Sequence, residues 1–223
     1  MPDRRVYVRE LPFRGRDWGG RRPGAGRKPV GARAGASHRK RAPLAARFPV
    51  HVTARLRKGL PSLRRQRVYR ALRAAFAAAS SERFRLVHYS VQSNHLHLLV
   101  EARDRQALSR GLQGLLIRVA RRVNHVWERR GRVFADRYHD HVLRTPREVR
   151  HALSYVLHNA QRHGSRLAAA LDVFASGWWF DGWKTRRRDW LNAGTECPVQ
   201  AARTWLLSRG WRRHGLLPLH GPP

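Results

Sequence analysis

Val91-Gln92-Ser93-Asn94-His95-Leu96-His97-Leu98-Leu99-Val100-Glu101 decides how this chain is read. Side chains alternate faces along an extended strand, so Leu96, Leu98 and Val100 turn toward a core while His95 and His97 share the opposite face. Two imidazoles on one face, backed by an apolar stripe, are half of a metal site. Taken alone such a pair is more often a surface feature, so the rest of the chain must supply the other half. Gln92-Ser93-Asn94 reads as a short turn that joins this strand to one over residues 84–91, making a hairpin. In that partner strand Phe84, Leu86 and His88 are expected on one face, and Arg85, Val87 and Tyr89 on the other.

Working outward, Phe48-Pro49-Val50-His51-Val52-Thr53-Ala54-Arg55-Leu56 alternates and predicts a first strand. Residues 62–79 carry Val68, Leu72, Ala75 and Phe76 at helical spacing. After the histidine strand, Asp104 is placed to cap a long helix with the stripe Leu108, Leu112, Leu115, Leu116, Val119, Val123 and Trp127. Residues 132–144 read as a fourth strand. Thr145-Pro146-Arg147-Glu148 is a capping box with proline at the first helical position, and Gly164 stands where that helix would end near His163. Strand, helix, strand, strand, helix, strand is the split β-α-β order of a ferredoxin-like α+β fold, an antiparallel sheet with packed helices.

The charge narrows the partner. Lys+Arg total 47 against 14 Asp+Glu, a formal net charge of +33, and lysine occurs only at positions 28, 40, 58 and 184. Arginine forks match phosphate bidentately, and a domain this basic repels itself unless a polyanion is near. Nucleic acid is the expected partner. Cys197 is the single cysteine, which excludes an internal disulfide framework and a thiolate zinc cluster and fits a reducing cytoplasm. No apolar run approaches the roughly 18 residues of a membrane span, and the first residues lack the apolar core of a secretion signal.

Three regions follow. Residues 1–45, rich in Arg, Gly, Pro and Ala, are expected to be a disordered basic arm in which Arg27 and Lys28 meet DNA. Residues 46–165 are expected to form the domain. Residues 166–223 form a Trp- and Arg-rich extension with a further helix expected over 198–210. Its tryptophans could stack on unpaired bases, though packing onto the domain is the favoured reading.

The capped helix supplies the missing chemistry. Its core stripe is Val149, Leu153, Val156, Leu157 and Ala160, and Tyr155 lies beside it with Asn159 one turn further on. Two strand imidazoles and a helix amide give three ligands with positions left open, which suits Mg²⁺ or Mn²⁺ as a Lewis acid. A structural zinc would want a fourth protein ligand, for which His88, His139, His141, His151 and His158 are candidates.

Ser93-Asn94-His95-Leu96-His97-Leu98-Leu99-Val100 resembles the histidine-hydrophobic-histidine motif of HUH endonucleases. Phe134-Ala135-Asp136-Arg137-Tyr138-His139-Asp140-His141-Val142 resembles the fourth-strand segment of the single-tyrosine HUH transposases. Ser154-Tyr155-Val156-Leu157-His158-Asn159 resembles their tyrosine helix. The resemblance covers roughly residues 46–165 and extends to insertion-sequence and REP-associated tyrosine transposases. It departs at Asn159-Ala160, where those proteins commonly carry Asn-Pro. It implies nicking and joining of single-stranded or hairpin DNA, with Tyr155 as nucleophile, a 5′-phosphotyrosine intermediate, and the metal on His95, His97 and Asn159. Arg110, Arg118, Arg121 and Arg122 on the long helix are then expected to hold phosphates, in a protein acting at the nucleoid as monomer or homodimer. His158 is a conceivable base and Tyr138 the rival nucleophile. Two other functions stay open: a non-catalytic DNA- or RNA-binding regulator on the same fold, and a metal-dependent nuclease that uses water.

Overall fold

The computed structural model describes residues 41–159, 171–185 and 196–219. Its elements are β1 (Val50–Arg55), α1 (Gln66–Ala77), β2 (Phe84–Val91), β3 (His95–Ala102), α2 (Arg105–Val126), β4 (His139–Val142) and α3 (Pro146–Leu157). The four strands form one antiparallel sheet in the order β2-β3-β1-β4. This is the split β-α-β topology expected from the pattern. No helix among the described residues is long and apolar enough to cross a membrane.

One sheet face is apolar. Val50, Val52 and Ala54 of β1 and Leu96, Leu98 and Val100 of β3 are buried with the stripes of α1 and α2. Asp104 caps α2 by accepting from the Ala107 amide at 2.7 Å, which satisfies one of the orphan donors of the first turn. Glycine costs about 0.5–1 kcal/mol within a helix. Gly111 is kept there by contact, because a Cβ at that position would fall 2.2 Å from the Phe84 ring.

The other face lies under α3. Thr145 and Glu148 form the capping box in full. Val149, Leu153, Val156 and Leu157 then pack with Val87, Leu99, Leu171, Trp183, Leu207 and Trp211. The division at residue 165 is therefore not physical, since the C-terminal segments complete this second core. The packing reading of the tryptophans holds for Trp183 and Trp211, exposed by 3% and 1%, and Trp190 lies outside the described residues. Buried Glu101 of β3 ties the segment down. It accepts from the Thr204 amide and hydroxyl, both at 2.8 Å, just ahead of a single helical turn, Trp205–Ser208, and a 3-10 turn, Gly210–His214. That is what forms in place of a helix over 198–210. Arg64 holds the 171–180 segment through a bidentate pair with Asp172, both contacts 2.8 Å.

Four expectations need correcting. A bulge between Leu86 and His88 shifts the β2 register, so Tyr89 joins Phe84 and Leu86 in the first core while His88 turns to the α3 face. The fourth strand is only four residues long. Phe134 makes one isolated bridge to Leu56, and the Asp136 carboxylate then accepts from the Arg137 amide at 2.7 Å, a local bond that competes with the ladder. The α3 helix stops at Leu157, with His158 at φ −102° and ψ 7° as its cap; Asn159 is helical again, and the stretch toward His163 lies outside the described residues. Finally, residues 41–45 belong to the domain: Leu44 is buried, and Arg41 pairs with Asp140 at 2.8 Å. Arg27, Lys28 and the remainder of the expected basic arm lie outside the described residues.

Candidate functional site

The register of the sheet builds the site. On the α3 face, β3 presents His95, His97, Leu99 and Glu101. Antiparallel partners share a face, so Thr53 stands beside His97, Arg55 beside His95, and His51 beside Leu99. On the far side of β1, His139 flanks Thr53 and His141 flanks His51.

The imidazoles of His95 and His97 converge, with their Nε2 atoms 2.9 Å apart. Carbonyl oxygen only accepts, so the partner of His95 fixes its tautomer. His95 Nδ1 donates to the Asn94 side-chain carbonyl at 2.8 Å. His97 Nδ1 is 3.2 Å from Thr53 Oγ1 and 3.3 Å from His51 Nε2, either of which can accept its proton. With the proton of His97 on Nδ1, both Nε2 atoms face the same space, which a cation or a shared proton can occupy. Hydrogen bonds that fix the second ring nitrogen are the usual support of metal-bound histidine.

Tyr155 closes the site from α3. Its hydroxyl is 3.4 Å from His97 Nε2, and its ring meets the rings of His97 and His51 edge-on at 5.0 and 5.8 Å. Asn159 follows at the end of the helix. It is 1% exposed, and neither its Oδ1 nor its Nδ2 has a hydrogen-bond partner among the described residues. An unsatisfied buried amide costs about 1–3 kcal/mol. Such a group calls for a partner of another kind, such as an ion. Imidazole nitrogen and amide oxygen are both donor types that divalent cations accept. Among the described residues no group of three or more His, Cys, Asp or Glu side chains could hold a metal. The proposed fourth zinc ligands are therefore not brought to the pair.

Burial lowers the His51 pKa to about 4, helped by neighbouring His141, so His51 is neutral near pH 7 and can accept from His97. His51, Thr53 and Arg55 were missed by the sequence reading, although β1 was recognised. In a split β-α-β sheet β1 lies next to β3, and that adjacency with the alternation of β1 was the available signal.

Other expected residues go elsewhere. Arg110, Arg118, Arg121 and Arg122 are exposed on α2, which covers the opposite face of the sheet, so they are not gathered at Tyr155. His158 Nδ1 is 2.9 Å from the Ser154 carbonyl and Nε2 is 3.0 Å from the Pro218 carbonyl. These contacts bind the end of α3 to the C-terminal segment and do not serve the Tyr155 hydroxyl. Tyr138 packs against the first core, with Arg41 stacked 4.0 Å over its ring, and is not a rival nucleophile at this site.

No protein-family model matches the sequence, and no curated protein does. Among solved structures the chain is similar to a REP-associated tyrosine transposase bound to a REP hairpin, with a TM-score of 0.52 and 18% sequence identity. The likeness covers 75% of this chain and 93% of that one. It is a likeness of fold: the chain shares the α+β architecture of that transposase.

Proposed function

We propose that the chain is a transposase-like single-stranded DNA endonuclease and strand transferase, with Tyr155 as its nucleophile and a Mg²⁺ or Mn²⁺ ion held by His95, His97 and Asn159. The observation that carries this reading is the convergence of the Tyr155 hydroxyl and the two Nε2 atoms on one point, 3.4 and 2.9 Å apart. The formal charge of +33 supports a polyanionic substrate. The fold shared with a transposase bound to a DNA hairpin supports single-stranded or hairpin DNA.

Tyr155 attacks phosphorus through its phenolic oxygen. The bond from phosphorus to the 3′-oxygen breaks, the 3′-hydroxyl departs with a proton, and a 5′-phosphotyrosine is left. Attack by another 3′-hydroxyl reverses these bonds and restores a phosphodiester without ATP, because the covalent link conserves the ester. The bound cation would supply Lewis-acid stabilisation of charge on the non-bridging oxygens. Thr53 and His51 keep the Nδ1 proton of His97 in place, which leaves Nε2 directed at the site. Arg55, beside His95, offers a guanidinium to the phosphate backbone.

The test uses hairpin-forming oligonucleotides from DNA flanking the coding region, with Mg²⁺ or Mn²⁺. Wild-type chain should form a DNA-linked band on a denaturing gel, and Tyr155→Phe should form none. An adduct that persists in Tyr155→Phe removes the nucleophile assignment. Cleavage without any adduct favours water as the attacking group.

A further inference from the structure

Beside Tyr155, between β1, β4 and the first turns of α3, lies an open cleft of about 490 Å³. That is within the roughly 300–1,000 Å³ typical of small-ligand sites. Its walls bring the imidazoles of His51, His141 and His151 together with the Tyr155 ring, over an apolar floor of Leu143 and Ala152. We propose that this cleft binds one unpaired nucleobase of the DNA strand whose phosphate lies at Tyr155. The inference rests on the reading of Tyr155 as the nucleophile for its location, but not for its chemistry.

Three observations favour a base over a metal or a bare phosphate. The histidines are not arranged to hold a metal, since no such group occurs among the described residues. A phosphate site presents converging cationic donors, and here Arg147 is the one guanidinium on the lining. The carboxylate on the lining, Glu148, is already engaged by the amides of Arg144 and Thr145 at 2.6 and 3.0 Å. What remains is flat rings and aliphatic carbon, the surface on which bases stack. Tyr155 and His51 line the cleft and also touch His97, so a strand crossing the tyrosine passes directly over it. His141 and His151 are exposed, and their ring nitrogens can meet the edge of a stacked base.

The experiment compares binding of single-stranded octamers, (dA)8 and (dT)8, with an abasic octamer of the same charge. Fluorescence anisotropy is measured on the full chain in EDTA, so that no cleavage occurs. The wild type should bind a base-bearing octamer about 5- to 150-fold more tightly than the abasic one, the range for a single stacking site. His141→Ala combined with His151→Ala should lose most of that preference while keeping the salt dependence set by phosphate contacts. Trp205→Ala is the control, because Trp205 is the exposed tryptophan among the described residues, at 49% exposure. Its preference should match the wild type. A preference lost in Trp205→Ala and retained in the double histidine variant overturns the proposal, as does a wild type that shows no preference. Failure to detect a tyrosine adduct would overturn the nucleophile reading and leave this measurement intact.

Discussion

The two faces of the sheet are built from the same strands and follow opposite rules. Toward α1 and α2, β3 turns Leu96, Leu98 and Val100, each fully buried. Toward α3 it turns His95, His97 and Glu101 around a single apolar residue, Leu99. The first face is uniform, and any register that kept its residues apolar would fill it. The second is specific residue by residue. Thr53 serves His97 because it is its cross-strand neighbour, and Glu101 serves Thr204 from more than a hundred residues away. One face defines the fold, and the other is where polar groups are held at chosen separations.

The most severe way to break this division is Trp211→Ala. Trp211 is 1% exposed, stacks on Phe180 at 5.4 Å, and donates its indole N–H to the Leu207 carbonyl at 3.0 Å. Truncating it should cost about 3–5 kcal/mol in a urea titration. A loss below about 1 kcal/mol would mean that the C-terminal segment merely lies against α3 and that the second face has no core of its own.

Adjacent residues of β3 sharpen the contrast. Leu98→Ala should cost about 2–5 kcal/mol while leaving metal-dependent cleavage intact in the protein that remains folded. His97→Ala removes hydrogen bonds rather than apolar packing and should cost less, about 1 kcal/mol, yet should abolish cleavage and retain DNA binding. Equal stability losses would make His97 a core histidine rather than a ligand.

How much of this was legible follows the same line. The alternation of β3, the stripes of α2 and α3, and the Thr145–Glu148 capping box are local patterns, and each formed where the periodicity put it. The approach of Tyr155 to His97 was also readable, because a capped helix fixes which side of the apolar stripe the tyrosine occupies. The features that were not readable depend on non-local events. The bulge at Leu86–His88 reverses faces for half of β2 with no proline or glycine to announce it. The second core joins Trp183 and Trp211 to α3 across long sequence separations. Arg41 and Leu44 look like part of a basic arm until Asp140 and the first core receive them.

A pH titration tests whether the second face excludes charge that it does not use. His88, turned to this face by the bulge, is buried against Ser176 and Phe180, and burial lowers its pKa from 6.5 to about 4. The unfolded chain takes up a proton here below about pH 6.5 that the folded chain refuses until about pH 4, so this contribution to stability is complete above 6.5 and is lost as pH falls to 4. Between those values the wild type should lose up to about 1.4 kcal/mol per pH unit more than His88→Gln. Parallel pH profiles for the two proteins would show that the His88 site admits the imidazolium.

The smallest effect isolates the helix that carries the tyrosine. Thr145 Oγ1 accepts from the Glu148 amide at 3.2 Å, and Glu148 returns the bond to the Thr145 amide. Thr145→Ala removes the first of these bonds and should cost about 1 kcal/mol. The loss should be local, with faster amide hydrogen exchange at Arg147 and Glu148 and unchanged exchange in α2, which packs on the other face. Tyr155 lies more than two turns further along, where Val149 and Leu153 already anchor α3, so adduct formation should change little. A fall in adduct yield as large as that of His97→Ala would mean that the first turn of α3, and with it the Arg147 edge of the cleft, takes part in holding the substrate.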